Sequence, residues 1–185
     1  MKKYIVFFIV ALSLLTLDAE AKRRRYSYYD KGYWGNVEML GGTMLSGGTD
    51  IGFSTTHGYC LGHGVAMGLG LGLYVDASEL YYVASLPVFL ETKYSPLKSS
   101  HSPFVSLRTG FSVNDYGNTG FYLSPAIGLN LNRFSIFMRY GLNSYPISAD
   151  IDIDIDIDMP GGHVEFKAPA TLNAHTLSIG FAVNF

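Results

Sequence analysis

Five charged side chains stand in segments that are otherwise rich in apolar residues: Glu38, Glu91, Lys93, Arg108 and Arg139. Successive side chains of an extended strand point to opposite faces, so Arg108 shares a face with Ser106 and lies opposite Val105. Charges arranged in this way could form a paired network or line a pathway for ions or protons. We favour the network, in which Glu38 and Glu91 neutralise the two arginines.

A second group of charged residues alternates strictly with isoleucine: Asp150, Asp152, Asp154, Asp156 and Asp158. In a strand these carboxylates would form a ladder with a spacing of about 7 Å. Three interpretations are open: a solvated simple repeat, a divalent-cation site, and an exposed edge that pairs with a partner strand. Calcium sites gather oxygen ligands from a curved loop, which disfavours the cation site in a straight ladder.

Hydrolytic chemistry would need a serine, a histidine and a carboxylate within reach of one another. None of the five histidines falls in a pattern typical of such an enzyme. His63 and His101 fall in predicted turns, and His175 with Glu165 is the best-placed pair. The sequence therefore predicts a protein without enzymatic activity or catalytic residues, with a lipid-modifying enzyme as the alternative.

The elements that position these residues are predicted to be strands throughout. In Val65–Val75 every odd position is large and apolar, and most even positions are small. This alternation over about ten residues is typical of a transmembrane β-strand. Gly68, Gly70 and Gly72 interrupt a strand pattern and precede no amphipathic helix, so we exclude a phosphate-binding loop.

Turn signals between such segments predict eight antiparallel strands. Their expected bounds are Tyr33–Leu45, Thr49–Cys60, Val65–Val75, Leu80–Tyr94, Phe104–Asn114, Gly120–Leu131, a seventh strand from Phe134 and an eighth that ends at Phe185. Closure into a barrel would pair every backbone polar group and leave no edge in lipid. The fold class predicted is thus all-β, a closed eight-stranded transmembrane barrel, with ten strands as the alternative. The aspartate run would protrude as an acidic hairpin between strands seven and eight.

The bulk of the apolar side chains is predicted to face outward, because an eight-stranded barrel has little internal room. The inner face then carries glycine, serine and the five charges, which predicts a plugged lumen, with a small-solute channel as the alternative. Aromatic residues near strand ends are expected to form girdles at the membrane surface. These are Tyr33, Trp34, Tyr59, Tyr74, Tyr81, Tyr82, Tyr94, Phe121, Tyr122, Tyr140, Tyr145 and Phe185.

The start of the chain is typical of a secretory signal peptide. Lys2 and Lys3 precede the apolar run Tyr4–Leu17, and Ala19-Glu20-Ala21 offers a cleavage site. We expect residues 1–21 to be removed, residues 22–32 to form a short periplasmic tail, and residues 33–185 to form the barrel domain.

The end of the chain carries an apolar stripe made by alternate residues: Leu177, Ile179, Phe181, Val183 and Phe185. This ending resembles the C-terminal β-signal of bacterial outer-membrane proteins, which the barrel-assembly machinery recognises. The resemblance implies delivery to, and assembly in, an outer membrane.

Charge and cysteine content exclude several classes. The formal net charge of −2 gives no reason to expect nucleic-acid binding. Cys60 is the sole cysteine, so an intramolecular disulfide is impossible and a metal or redox role is improbable. No cofactor is expected.

Four segments carry a resemblance to a known family: Phe53–Tyr59, Leu86–Leu90, Ser102–Val105 and Gly120–Gly128. Together with the C-terminal stripe they resemble the small outer-membrane β-barrel family of Bacteroidetes-type Gram-negative bacteria, of OmpX-like and OmpA-transmembrane-domain-like architecture. The resemblance implies a barrel in the outer membrane and transfers no catalytic residue.

The function predicted is that of an integral outer-membrane barrel with a structural or surface-interaction, adhesion-like role. The expected partners are outer-membrane lipid and lipopolysaccharide, the barrel-assembly machinery, and an extracellular partner at the acidic hairpin. We expect a monomer.

Overall fold

The computed structural model of this chain describes residues 28–77, 82–152 and 165–185. Their strands are β1 (Gly32–Met44), β2 (Thr49–Gly62), β3 (Val65–Ala77), β4 (Tyr82–Tyr94), β5 (His101–Asn114), β6 (Thr119–Leu131), β7 (Phe134–Asp152) and β8 (Glu165–Asn184). The predicted signal peptide lies outside the described residues, as do Tyr81 and the three aspartates Asp154, Asp156 and Asp158. Within the described ranges, no helix is long and apolar enough to cross a membrane.

The strands close into one barrel in chain order, each antiparallel to its neighbours. Closure is made by β8, which pairs with β1 from Asn36 opposite Asn184 to Met44 opposite Thr176. The prediction of a closed eight-stranded antiparallel barrel is confirmed. The observed bounds differ from the predicted ones by at most three residues, and the largest difference is at β5, which begins at His101 rather than Phe104. His101 therefore starts a strand and does not lie in a turn.

The two ends of the barrel differ. One, which we call the terminal end, holds Tyr28, Phe185 and the turns after β2, β4 and β6. The turn after β2 consists of His63 and Gly64, with φ of 57° and 85°, the conformation that a two-residue hairpin needs to match strand twist. The opposite end, which we call the hairpin end, holds the connections after β1, β3, β5 and β7.

Two strands extend past the others at the hairpin end. β7 has 19 residues and β8 has 20, against 13 or 14 in the other six. The described pairing of β7 with β6 ends at Ser144, and that of β8 with β1 ends at Thr176. Beyond these points β7 and β8 pair with each other as far as Asp152 opposite Glu165. We call residues 145–152 and 165–175 the ribbon.

The two faces of the sheet have opposite character. Outward residues are large and apolar, as on β3, where Leu69 is 67% exposed and Leu71 is 55% exposed. Inward residues are small, polar or charged, and both Ser124 and Arg108 are fully buried. This polarity is the reverse of that in a water-soluble barrel, whose apolar side chains fill the interior.

Glycines on the inner face make room for aromatic rings on the next strand. Gly180 stands directly opposite Phe137, and Gly70 stands directly opposite Phe89. A Cβ atom on Gly180 would come within 2.3 Å of the Phe137 ring. Each ring thus fills the volume that its glycine partner leaves open, and both phenylalanines are buried.

The predicted aromatic girdles are only partly correct. Tyr33, Tyr59, Tyr82 and Tyr94 are exposed on the outer face, but Trp34, Tyr74, Tyr122 and Tyr145 are buried inside the barrel. The reason is parity: these four residues share the inward register of polar neighbours, and a strand end does not by itself decide which way a ring points.

The pairing of Gly180 with Phe137 generates a prediction. Gly180→Ala should destabilise the barrel by about 1–3 kcal/mol because the new methyl group overpacks a buried ring. Chemical unfolding of the protein folded in detergent measures the change.

The matched control is Gly41→Ala, whose new Cβ atom would meet nothing nearer than 4.0 Å. Adding Phe137→Leu to Gly180→Ala should recover part of the loss. Equal stability of the two single variants would contradict the packing described.

Candidate functional site

The five charged residues singled out in the sequence all lie inside the barrel, and we call them the lumen charge cluster. Their side chains come from β1, β4, β5 and β7. The exposed fractions are 3% for Glu38, 1% for Glu91, 1% for Lys93, 0% for Arg108 and 3% for Arg139. Charges buried to this extent are stable only when they are paired and hydrogen-bonded.

Arg108 is the centre of the lumen charge cluster. Its Nε and Nη2 atoms donate to Glu91 Oε2 at 3.0 and 2.8 Å. Nη2 also lies 2.7 Å from Glu38 Oε2, and Nη1 donates to Ser54 Oγ at 3.0 Å. The planar guanidinium group therefore serves two carboxylates at once, a task that suits arginine better than lysine.

The pair of Arg108 with Glu38 crosses the lumen. Glu38 is on β1 and Arg108 is on β5, four strands away in a ring of eight, so the two residues stand on opposite walls. Glu38 also accepts from Arg139 Nη1 at 2.6 Å, which brings in β7. Four strands of the wall are thereby tied together through the interior.

Uncharged residues complete the network, and sequence reasoning did not identify them. Asn36 Nδ2 donates to Glu38 Oε1 at 3.0 Å, and Thr56 Oγ1 donates to Glu91 Oε2 at 2.7 Å. Tyr74 Oη lies 3.4 Å from Arg108 Nη1. Parity was a usable signal for Tyr74, which stands between the apolar residues Leu73 and Val75, but not for Thr56, which stands between Thr55 and His57.

Aromatic rings line the faces of both guanidinium groups. Arg108 Cζ lies 4.4 Å from the centre of the Phe89 ring, and Arg139 Cζ lies 4.5 Å from the centre of the Phe137 ring. Such cation–π contacts stabilise a desolvated guanidinium group. The rings that fill the glycine gaps therefore also support the charges.

Lys93 has a different environment from the other four charges. Its Nζ atom lies 3.8 Å from the Phe104 ring centre and 4.8 Å from that of Tyr28. The three ion pairs among the described residues do not include it. Tyr28 falls in the predicted tail, yet it is buried and its hydroxyl donates to Asn184 Oδ1 at 3.1 Å. Tyr28 thus packs into the terminal end of the barrel, whereas Asp30 and Lys31 are exposed.

Two further buried carboxylates were missed by the sequence analysis. Asp50 and Asp76 stand directly opposite each other on β2 and β3, and both are buried. They lie near the hairpin end, away from Lys93. Their parity with inward Gly52 and Tyr74 was a usable signal.

The residues of the C-terminal stripe lie on the outer face. Leu177, Ile179 and Phe181 are exposed, and Val183 and Phe185 are half-buried. Phe185 exchanges two backbone hydrogen bonds of 2.9 Å with Gly35. Of the predicted acidic ladder, the structure describes only the backbone of Asp150 and Asp152, which pair with Lys167 and Glu165.

His57 and Thr55 are in contact but are not arranged as a general base and its nucleophile. Thr55 donates its hydroxyl hydrogen to the Asn36 carbonyl at 3.0 Å, so it can only accept from His57 Nε2, which lies 3.1 Å away. The other ring nitrogen of His57 contacts the Tyr33 hydroxyl. His57 in this state does not act as a base toward Thr55.

The pair of His175 with Glu165 is also excluded as a catalytic unit. Both residues are on β8, and ten residues of strand separate them by about 33 Å. No cluster of three or more histidine, cysteine, aspartate or glutamate residues that could hold a metal ion occurs in the described part of the chain.

Comparisons with known proteins agree with the fold. No protein-family model matches the chain, and no curated protein matches it in sequence. Among solved structures, the outer membrane enzyme PagL is similar with a TM-score of 0.55 and 12% identity, over 80% of this chain and 98% of PagL. The N-terminal β-barrel domain of Pseudomonas aeruginosa OprF gives a TM-score of 0.46 at 12% identity, over 84% of this chain and 100% of that domain. The likeness to PagL shows a shared barrel fold.

The lumen charge cluster generates a prediction on stability. Arg108→Met should destabilise the barrel by about 3–5 kcal/mol because it leaves Glu91 without its arginine and Glu38 with one cation fewer in a dry interior. Denaturant unfolding in detergent measures the loss.

Arg133→Met is the control, since Arg133 lies in a turn outside the three described ion pairs, and it should change stability by less than about 0.5 kcal/mol. Combining Arg108→Met with Glu91→Gln should cost clearly less than the sum of the two single changes. Strict additivity would contradict a direct pair.

Proposed function

We propose that the protein is an integral outer-membrane β-barrel with a plugged lumen, and that it has a structural and surface-interaction role. The observation that carries the proposal is the reversed polarity of the barrel, with apolar side chains outside and paired charges inside. Exposing the apolar side chains of that outer face to water would be unfavourable in free energy around the whole barrel, whereas contact with lipid would not be.

The dimensions of the barrel support a membrane location. A strand of 13 residues, such as β3, rises about 3.3 Å per residue and spans about 30 Å when tilted by about 45°. That is the thickness of a bilayer core. The fold likeness to PagL, an outer membrane enzyme, supports the outer membrane as the location.

The pair that joins β1 and β5 supports a plugged lumen. Arg108 Nη2 and Glu38 Oε2 are 2.7 Å apart, which leaves no passage between them for a hydrated ion. Phe89, Phe137 and Tyr122 fill the space around the pair and are buried. The same contacts argue against the small-solute channel.

The ribbon supports a surface-interaction role. Its backbone is hydrogen-bonded between β7 and β8, and the described registers assign neither outer edge to another strand. An edge of this kind can accept an additional strand from a partner. Tyr28 and Phe185, the first and last residues that the structure describes, are at the opposite end. In bacterial outer-membrane barrels the end that holds the termini faces the periplasm, so the ribbon would face the cell exterior.

The C-terminal stripe supports recognition by the barrel-assembly machinery, because Leu177, Ile179 and Phe181 are presented on the outer face.

Deleting Phe185 should lower the amount of protein inserted in the outer membrane several-fold. Quantification of the protein in separated membrane fractions tests this. The control is Phe111→Ala, which removes an exposed aromatic ring from β5, away from the stripe. Undiminished insertion of the shortened chain would count against the assembly signal.

The orientation is tested by protease treatment of intact cells that produce the protein. Cleavage should be confined to residues 147–170, at and beyond the start of the ribbon, while the remaining strands stay intact. Mass analysis of the fragments locates the cuts.

A variant with a protease site placed in the turn at Asn132 and Arg133 is the control, because that turn is at the terminal end and should be cut only after the outer membrane is permeabilised. Complete digestion, complete protection, or cleavage of the control turn in intact cells would contradict the proposed topology.

A further inference from the structure

The aspartate pair at the hairpin end takes no part in the three ion pairs of the described residues. Asp50 and Asp76 are directly opposite in the register and are 2% and 5% exposed, so their inward side chains are neighbours on adjacent strands. Two neighbouring carboxylates repel each other unless a proton or a cation lies between them. Glu38 and Glu91 already occupy Arg108 and Arg139.

A small cavity adjoins the pair and is lined by oxygen atoms that lack hydrogen-bond partners. Asp50 Oδ1, Asp76 Oδ1 and Asn143 Oδ1 are buried and unpartnered among the described residues, and all three residues line the cavity. The exposed fraction of Asn143 is 7%. The volume of the cavity is about 10 Å³, which is room for one water molecule or one ion.

We propose that this cavity binds one divalent metal cation of the calcium and magnesium class, with Asp50, Asp76 and Asn143 as its protein ligands. Carboxylate and amide oxygens are the ligands that such hard cations prefer. Two carboxylates balance the charge of one divalent ion. Ser178 also lines the cavity, and its Oγ atom donates to Asp50 Oδ2 at 2.6 Å, which fixes the orientation of that carboxylate.

Arg139 is the one cation that also lines the cavity. Its Nη1 atom pairs with Glu38 at 2.6 Å, and its Cζ atom lies 4.5 Å from the centre of the Phe137 ring. Its Nε atom has no hydrogen-bond partner among the described residues. Its position on β7 is four residues nearer the terminal end than Asn143. Arg139 therefore closes the inner side of the cavity while the three oxygen ligands face it from β2, β3 and β7. The proposed cation site is made only by residues inside the barrel, so it does not require that the barrel lies in a membrane.

The test uses terbium(III), which binds calcium-type sites and luminesces when a nearby tyrosine is excited. Tyr74 and Tyr122 line the same cavity, so the protein folded in detergent should give saturable terbium emission that added calcium displaces. Asp50→Asn and Asp76→Asn should each weaken binding at least tenfold. Calcium should also raise the unfolding temperature of the unmodified protein, as a ligand of the folded state does.

Two controls separate this site from other acidic groups. Asp115→Asn removes a carboxylate from an exposed turn at the same end and should leave binding unchanged. A variant with asparagine in place of all five aspartates of residues 150–158 should keep the saturable emission. The proposal is overturned if emission is lost only in that repeat variant, if Asp50→Asn and Asp76→Asn bind normally, or if the unmodified protein shows no saturable emission. In that last case the pair shares a proton.

Discussion

The constraint on which the whole structure depends is the closure of eight alternating strands into one ring. Once the sheet closes, every residue faces either inward or outward, and the small interior takes only one side chain of every two along each strand. This chain places its bulk outside, with Leu69 67% exposed, and its charges inside. The ion pairs, the aromatic rings and the glycines of the interior together stabilise those charges in a narrow space.

The contacts inside the barrel support one another. Glu38 and Arg108 project from opposite walls of the barrel, and Glu38 Oε2 lies 2.7 Å from Arg108 Nη2. This ion pair therefore connects β1 and β5 across the lumen. Glycine positions such as Gly180 let rings such as Phe137 approach, and that ring lies 4.5 Å from Arg139. Replacing both partners of such a pair by apolar residues changes the free energy of unfolding little. Removing only one partner lowers the stability strongly, because the other charge is left buried and unpaired. A structure of this type favours one register of the strands, because a shift by one residue would carry the charges to the outer face.

Strand positions and faces could be predicted from the sequence because they follow from local alternation. The face of Arg108 was predictable from Ser106 and Val105 alone. Glu38 and Glu91 could be named as the carboxylates that pair with the two arginines. Which carboxylate pairs with which arginine could not be predicted, because Glu38 is four strands away from Arg108 and no local pattern encodes the stagger between strands. The aromatic rings were misplaced for a related reason: Trp34 and Tyr122 were assigned by their position near strand ends, whereas their parity decides that they face inward. Asp50 and Asp76 obey the same parity rule and would have been found by applying it to every charged residue.

The central claim is that the apolar outer face contacts lipid around a sealed polar interior. Spin labels at the outward positions of β3, from Val65 to Val75 in steps of two, test it in phospholipid vesicles, with Cys60→Ser removing the native thiol. Collisions with oxygen, which concentrates in hydrocarbon, should be most frequent at Leu69 and Leu71. Collisions with a water-soluble nickel chelate should be rarest at the same two positions and frequent near the strand ends. Equal access of the nickel chelate at all six positions would contradict the account.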